Sequence, residues 1–288
     1  MAHDIIPLQN PVTRYPRPPF QVVDDKPEPP PDHGEDTYRG NGRLKGRKVL
    51  LTGGNSGIGR AAAIAMGREG ADVVIAYHSD EEGAQAAVAT IEASGARAFA
   101  HPADLSKEED CVRVVSDAVG DMGGLDTLVM VAGYQHNVAD IMELTSEQIE
   151  YTFRTNAFSL FWMTKAALAH IPPGGSIITT SSVQASQPSP DKLDYAATKG
   201  AILNFTKGLA QQLAPKGIRV NCVAPGPVWT NLQPDAEDSN DLADFGADSP
   251  LGRPGQPAEL AGAYVYLASD DASYTTGETI HVAGGMPM

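Results

Sequence analysis

The chain has 288 residues, a formal net charge of −15 and 42 % hydrophobic residues. That length suits one large domain or two small ones, with a core able to bury most of its apolar surface. The acidic balance argues against nucleic acid, which needs Lys/Arg clusters on its phosphates, and equally against an anionic membrane surface.

Cys111 and Cys222 are the two cysteines, and they make neither a disulfide framework nor a zinc cluster. Both read as buried small hydrophobes. No run of about 18 apolar residues spans a bilayer. The opening "MAHDIIPLQNPVTRYPRPP" lacks a basic segment followed by an apolar one, so the expectation is a cytoplasmic protein without a signal peptide.

In chain order, residues 1–42 stand apart. Nine of the 22 prolines precede Asp32. Proline fixes φ and lacks the N–H donor, so this arm is expected to be extended, neither helix nor central strand. It reads either as a disordered tail or as an arm laid along a neighbouring subunit, with Tyr15, Phe20, Val22 and Val23 as anchors.

From residue 43 a single domain is expected. "KVLLT" (48–52) is a short apolar run, followed by a glycine-rich turn and a helix ending near Gly70. "DVVIAY" (72–77), "RAFAHPAD" (97–104), "LDTLVMVAG" (125–133), "GSIITTSS" (175–182), "IRVNCVAP" (218–225) and "ETIHVAGG" (278–285) are further runs, each separated from the next by helical texture. Residues 145–171 read as one long helix opened by Thr145 or Ser146. Apolar runs that do not alternate, separated by helices, predict a parallel sheet covered on both faces. The fold class is therefore α/β, a doubly wound Rossmann-type domain of about seven strands behind a proline-rich arm.

"TGGNSGIG" (52–59) follows the first run and opens a helix. Its Gly53, Gly57 and Gly59 are spaced for a tight turn, for close approach to a pyrophosphate and for helix–strand packing. The helix start offers free N–H groups to phosphate. Dinucleotide binding is the expectation. Far along the chain, "LDYAATKGA" (193–201) puts Tyr195 and Lys199 one helical turn apart. An ammonium beside a phenol favours the phenolate, and a phenol so tuned can exchange a proton with an alcohol oxygen.

The glycine motif near the start of the domain, with Tyr-x-x-x-Lys about 140 residues on, resembles the short-chain dehydrogenase/reductase family over roughly residues 44–285. "VAPGPVWT" and "RPGQPAELAGAYVYLASDDASYTTGETIHVAGG" resemble its bacterial general-stress, glucose/ribitol-dehydrogenase-like and NADP-dependent aldehyde reductase branch. The resemblance implies an NAD(P)-dependent oxidoreductase interconverting an alcohol and a carbonyl. In that reading Tyr195 is the general acid/base, and Lys199 lowers its pKa and binds the nicotinamide ribose. Ser182, 13 residues before Tyr195, hydrogen-bonds the substrate oxygen, with Ser181 as its adjacent competitor. Asn156 holds a water that relays protons from Lys199 to solvent.

The resemblance also implies cofactor contacts. Gly53, Ser56, Gly57, Ile58 and Gly59 form the phosphate loop, and Asp104 contacts adenine. Ala132 and Gly133 leave room for the cofactor. Pro225, Gly226, Val228 and Thr230 pass under the nicotinamide. The slot where an NAD enzyme places Asp on both ribose hydroxyls holds Tyr77, followed by His78. Without that carboxylate NADP is favoured, with NAD as the alternative. No metal is expected. A homotetramer is implied, with helices 145–170 and 194–213 and the last strand at its interfaces.

One departure is "MVAG" (130–133) where the family usually has Asn-Asn-Ala-Gly. The lost amides would weaken the Asn156 relay, and they motivate a second reading, a dinucleotide-binding redox sensor with little turnover. A third reading is an interaction protein that recruits a partner through its arm. The substrate is expected among loops 133–140, 182–191 and 229–250, the last an acidic lid, with Gln135, His136, Gln184 and Trp229 as wall residues. A polar wall suits a sugar or small aldehyde.

Overall fold

The computed structural model describes residues 9–23, 26–230 and 242–287. Its centre is a seven-stranded, all-parallel sheet. In chain order its strands are β3 (Lys48–Thr52), β4 (Asp72–Tyr77), β5 (Ala98–Pro102), β6 (Thr127–Met130), β7 (Ser176–Thr180), β8 (Arg219–Pro225) and β9 (Thr279–Val282). They lie in the order β5-β4-β3-β6-β7-β8-β9. The earlier β1 (Gln21–Val23) and β2 (Lys26–Glu28) pair antiparallel in the arm. The chain leaves β3 toward β4 on one side and returns to β6 on the other. A crevice therefore opens beyond the carboxyl ends of β3 and β6, where open α/β sheets bind ligands.

The helices are α1 (Gly57–Arg68), α2 (Glu81–Glu92), α3 (Glu108–Met122), α4 (Ser146–Phe153), α5 (Ser159–Ala167), α6 (Leu193–Leu213) and α7 (Pro257–Ala268). Because side chains alternate along a strand, neighbours in β3 serve opposite layers. Val49 and Leu51 join the core under α1 and α7, and Leu50 joins the one under α3, α5 and α6. That is why "KVLLT" and "DVVIAY" are continuous apolar runs. Both cysteines are free and buried. No described helix is long and apolar enough to cross a membrane.

The stretch expected as one long helix is interrupted. Thr145 Oγ1 accepts from Gln148 N at 3.2 Å and opens α4. Arg154–Phe158 then form a single π-helical turn before α5. Bonds to other parts of the chain hold this turn. Asn156 reaches the backbone of Tyr134, and Arg154 Nε donates to Ser106 O at 2.8 Å. Single π turns inside helices concentrate at functional positions, and this one carries Asn156.

The arm lies on its own chain. Phe20 is 4 % exposed and packs on Trp229. Tyr15 donates to Asp32 Oδ2 at 2.6 Å, and Asp32 accepts from Ala258 N at the start of α7. Val22 packs beside Phe20, whereas Val23 is exposed. The expected anchors Tyr15, Phe20 and Val22 thus grip this chain. The arm's end is pinned by Glu69, which is fully buried and accepts from Tyr38 OH, the Arg43 guanidinium and the N–H groups of Asn41 and Arg43.

Candidate active site

The turn after β3 is shaped by two contacts that exclude a side chain. Gly53 has φ +71°, and a Cβ there would stand 3.1 Å from Ala132 Cα. A Cβ on Gly59 would stand 2.1 Å from the Gly53 carbonyl oxygen. These glycines let α1 start directly over the turn. Ser56 is the N-cap residue of α1, and its side chain makes no capping bond. The first-turn N–H groups, with the positive end of the helix dipole, are left facing the crevice.

That crevice is a cavity of about 520 Å³. It runs from the glycine turn to Tyr195 and brings together every residue expected to touch the cofactor, from Gly53, Ser56, Gly57, Ile58 and Gly59 to Thr230. Tyr77 is nearly buried at the end of β4, and His78 beside it is exposed. Asp80, two residues on, is committed elsewhere. Its carboxylate caps α2 by accepting from Gly83 N at 2.9 Å and also accepts from Asn55 Nδ2 at 3.2 Å. Asp104 lines the cavity while accepting from Ser106 N and Oγ at 3.0 and 2.7 Å. Helix α3 starts later, with Lys107 as its cap. The room, the glycine turn and the open helix start all fit a dinucleotide.

Tyr195, Lys199, Ser182 and Asn156 converge at the far end. Helix α6 presents Tyr195 and Lys199 on one face. Asp194 fixes its start, accepting from Tyr195 N at 2.8 Å and from Thr152 Oγ1 at 2.6 Å. The Ser182 side chain stands beside the Tyr195 hydroxyl and favours its phenolate form. Ser182 Oγ also accepts from Gln184 N at 3.2 Å, which leaves its own proton for a neighbour. Ser181 points elsewhere and donates to Lys199 O at 2.8 Å. Both serines line the cavity, but only the Ser181 hydroxyl is spent on the backbone of α6.

Lys199 Nζ donates to Thr180 O at 3.0 Å and lies 5.2 Å from the centre of the Tyr195 ring. Burial pushes the ammonium down to about 8 and the phenol up to about 12. The expected lowering of the phenol by its lysine neighbour is thus reversed here. The physical reason is that desolvation of the phenolate outweighs the opposing pull of the Ser182 side chain.

Asn156 is fully engaged. Its Oδ1 accepts from Tyr134 N at 2.7 Å, and its Nδ2 donates to Tyr134 O and Thr198 Oγ1 at 2.8 and 3.1 Å. It needs no amide from residues 130–131 to hold it. The "MVAG" strand end is instead fastened by Thr52, whose Oγ1 accepts from Val131 N and Ala132 N, each at 3.1 Å. Thr52 opens the glycine motif, but its role as this fastener was not legible in the sequence, because the N–H groups it accepts from lie 79 and 80 positions on. Thr180 and Tyr264 were missed as well. The Thr180 and Tyr264 hydroxyls pair at 2.8 Å behind Lys199.

The cavity lining differs from the expected substrate wall. Gln135 and Gln184 line the cavity, but His136 does not. Trp229 is fully buried under the arm and forms no wall. Gln184 is tied to Ser189 through both ends of its amide. Tyr134, Tyr151, Phe245 and Met286 add an aromatic and apolar flank that the polar loops did not suggest. Much of the acidic lid expected over 229–250 falls on residues 231–241, outside the described residues.

A family model described as enoyl-(acyl carrier protein) reductase matches residues 53–287. The chain is 53 % identical to the uncharacterized oxidoreductase YghA of Escherichia coli (strain K12), over 96 % of this chain and 98 % of that one. It is 42 % identical to the chloroplastic NADPH-dependent aldehyde reductase 1 of Arabidopsis thaliana, over 90 % and 92 %. A short-chain dehydrogenase from Burkholderia cenocepacia J2315, solved in complex with NADP, superposes with a TM-score of 0.80 at 33 % identity, covering 84 % of this chain and 98 % of that one. With the seven-stranded parallel sheet and the glycine turn beneath the crevice, these matches establish that the chain belongs to the short-chain dehydrogenase/reductase family of NAD(P)-dependent oxidoreductases.

Proposed function

We propose that this protein interconverts a carbonyl and an alcohol with NADP(H), with Tyr195 as general acid/base. The observation that carries the reading is the convergence of the Tyr195 and Ser182 hydroxyls with buried Lys199 at one end of a glycine-floored crevice. The bound nicotinamide supplies or accepts the hydride. In reduction, Ser182 donates a hydrogen bond to the carbonyl oxygen and Tyr195 delivers the proton that makes it a hydroxyl. In oxidation, Tyr195 takes that proton back. Lys199, whose Nζ lies 5.2 Å from the centre of the Tyr195 ring, would hold the nicotinamide ribose. Asn156 holds the Tyr134 backbone and, through it, the loop above the reacting carbon.

NADP is supported by the strand end at Tyr77–His78, which has no Asp in the slot where an NAD enzyme bonds both ribose hydroxyls. The NADPH-dependent relative and the NADP complex point the same way. The wall, apolar on the Tyr134, Tyr151 and Phe245 side and polar at Gln135, suits a small aldehyde or ketone with some hydroxyl character. The sensor reading loses its motive, since Asn156 is held without the missing amides. A homotetramer is supported by Phe158 and Phe161, 43 % and 53 % exposed on the helices expected at an interface. Two free, buried thiols suit a cytoplasmic protein.

The test is oxidation of NADPH, and separately NADH, against short aldehydes, ketones and aldoses, with wild type and Tyr195→Phe side by side. Carbonyl-dependent turnover that falls by roughly 10²–10⁴-fold in Tyr195→Phe is expected. NADPH binding should stay within about threefold, because only the proton donor is removed. Undiminished turnover in the variant would end the assignment of Tyr195.

A further inference from the structure

We infer that the proline-rich arm is a working part of the active site, with Phe20 and Trp229 as positioning residues for the cofactor and substrate wall. The inference rests on the catalytic reading above for its meaning, but its geometry stands apart from it. Two wall segments are involved, Val228–Thr230 and Leu242–Ser249, and the arm grips both.

Trp229 is the pivot. Its ring is fully buried, with the Phe20 ring centre at 4.7 Å and that of Phe245 at 6.1 Å. Its indole N–H donates to Pro29 O in the arm at 2.8 Å, and its backbone N–H donates to Gly255 O at 2.9 Å. The next residue is Thr230, whose methyl group faces Gly57 so closely that a Cβ there would stand 3.2 Å away. One continuous line of contacts thus runs from Pro29 through the indole to Thr230 and the phosphate turn.

The second grip is on the other wall segment. Phe20 N donates to Ala243 O at 3.0 Å, two residues before Phe245. Phe245 packs on Trp229 with one face of its surroundings and lines the cavity with the other. Further along, Arg253 is 2 % exposed. Its guanidinium donates to Pro11 O at 2.7 and 3.0 Å and to both Glu259 oxygens at 2.7 and 2.9 Å, and lies 5.3 Å from the Tyr15 ring. The arm is also stitched to the phosphate-binding helix, where Arg68 Nη1 donates to Gly34 O and Tyr38 O, each at 2.7 Å, and Arg60 faces Glu35 at 3.1 Å.

A cover over a hydrophobic patch would need only the ring stacking. Here polar bonds of fixed direction bind the arm to the segments that carry Thr230 and Phe245. Loosening them lets Thr230 retreat from Gly57 and Phe245 turn in the wall. Affinity for both ligands should weaken, while Tyr195, Ser182 and Lys199, on other elements, keep their geometry.

The experiment compares wild type, Phe20→Ala, Phe20→Leu and Trp229→Phe in the full chain. Trp229→Phe keeps an aromatic ring and loses the bond to Pro29 O. KM for NADPH and for the carbonyl, kcat, NADPH Kd by fluorescence titration and Tm are measured well below the lowest Tm. Phe20→Ala and Trp229→Phe are expected to raise the NADPH Kd and the KM values about fivefold or more, with kcat within about twofold and recovery in Phe20→Leu. Unchanged Kd and KM beside a lowered Tm would overturn the inference and leave the arm as packing. Should wild type show no carbonyl-dependent turnover, the catalytic reading fails on that result, and the NADPH Kd alone decides the arm. A raised Kd sustains it and an equal Kd sinks it.

Discussion

Replacing Lys199 by Met should change how stability responds to pH. Lys199 is buried, and burial holds its ammonium near 8 instead of the usual 10.5. At about 1.4 kcal/mol for each pH unit, keeping that charge inside at neutral pH costs the fold roughly 3 kcal/mol. Between pH 8 and 10.5 the unfolded chain holds a proton on this side chain that the folded chain has released. Stability therefore rises with pH across that window, and below it the cost of Lys199 is constant and adds no pH dependence. Methionine has no such proton. The unfolding free energy of wild type minus that of Lys199→Met should become more positive by roughly 2–3 kcal/mol from pH 7 to pH 10. The constant loss of the bond to Thr180 O cancels in this comparison, as does every other group titrating in both proteins. Urea unfolding followed by the fluorescence of Trp162 and Trp229 reads it directly. Protein concentration must be held fixed, because assembly adds to stability by mass action. Tyr195 stays protonated throughout, since burial pushes its phenol up to about 12. Parallel curves for the two proteins, within about 0.5 kcal/mol, would show that Lys199 is not a desolvated ammonium and would refute the reasoning.

Two further substitutions probe the crevice. Thr52→Val removes the acceptor shared by Val131 N and Ala132 N, and an unsatisfied buried donor costs about 1–3 kcal/mol. Calorimetry should show Tm lowered by several degrees, and titration a weaker NADPH Kd, because Ala132 and Gly133 line the crevice; an unaltered Tm would mean Thr52 fastens nothing. His78→Asp places a carboxylate where a 2′-phosphate is expected, and a repulsion of roughly 1–3 kcal/mol should raise the NADPH KM about 10–100-fold while sparing NADH. Equal effects on the two cofactors would move the 2′-phosphate away from this strand end.

The parallel sheet could be read from the chain because its physics is local. A strand covered on both faces is apolar at most positions instead of alternate ones, and "DVVIAY" has only its first residue polar. The glycine turn could be read for the same reason, since a missing Cβ is a property of one residue. The π turn at Arg154–Phe158 could not. It differs from α-helix by a single residue, and its cause is a bond from Asn156 to Tyr134, 22 positions away. Proline content showed only what the arm could not be. Its resting place depends on Phe20 meeting Trp229 across most of the chain.

The same distinction explains the two expectations about chemistry that changed. Trp229 was expected on the substrate wall because it opens the 229–250 loop, yet a large apolar ring in such a loop can equally face inward, and here the arm supplies the surface that buries it. The missing amides of "MVAG" suggested a weakened Asn156. That inference assumed that the bonds must come from the residues that usually make them. A strand end needs an acceptor for its N–H groups, and Thr52 on the neighbouring strand meets the need with one oxygen. Asn156 takes its own bonds from the Tyr134 backbone, which does not vary with side-chain identity. Backbone partners are therefore where a departure from a motif can be absorbed without loss of the geometry the motif serves.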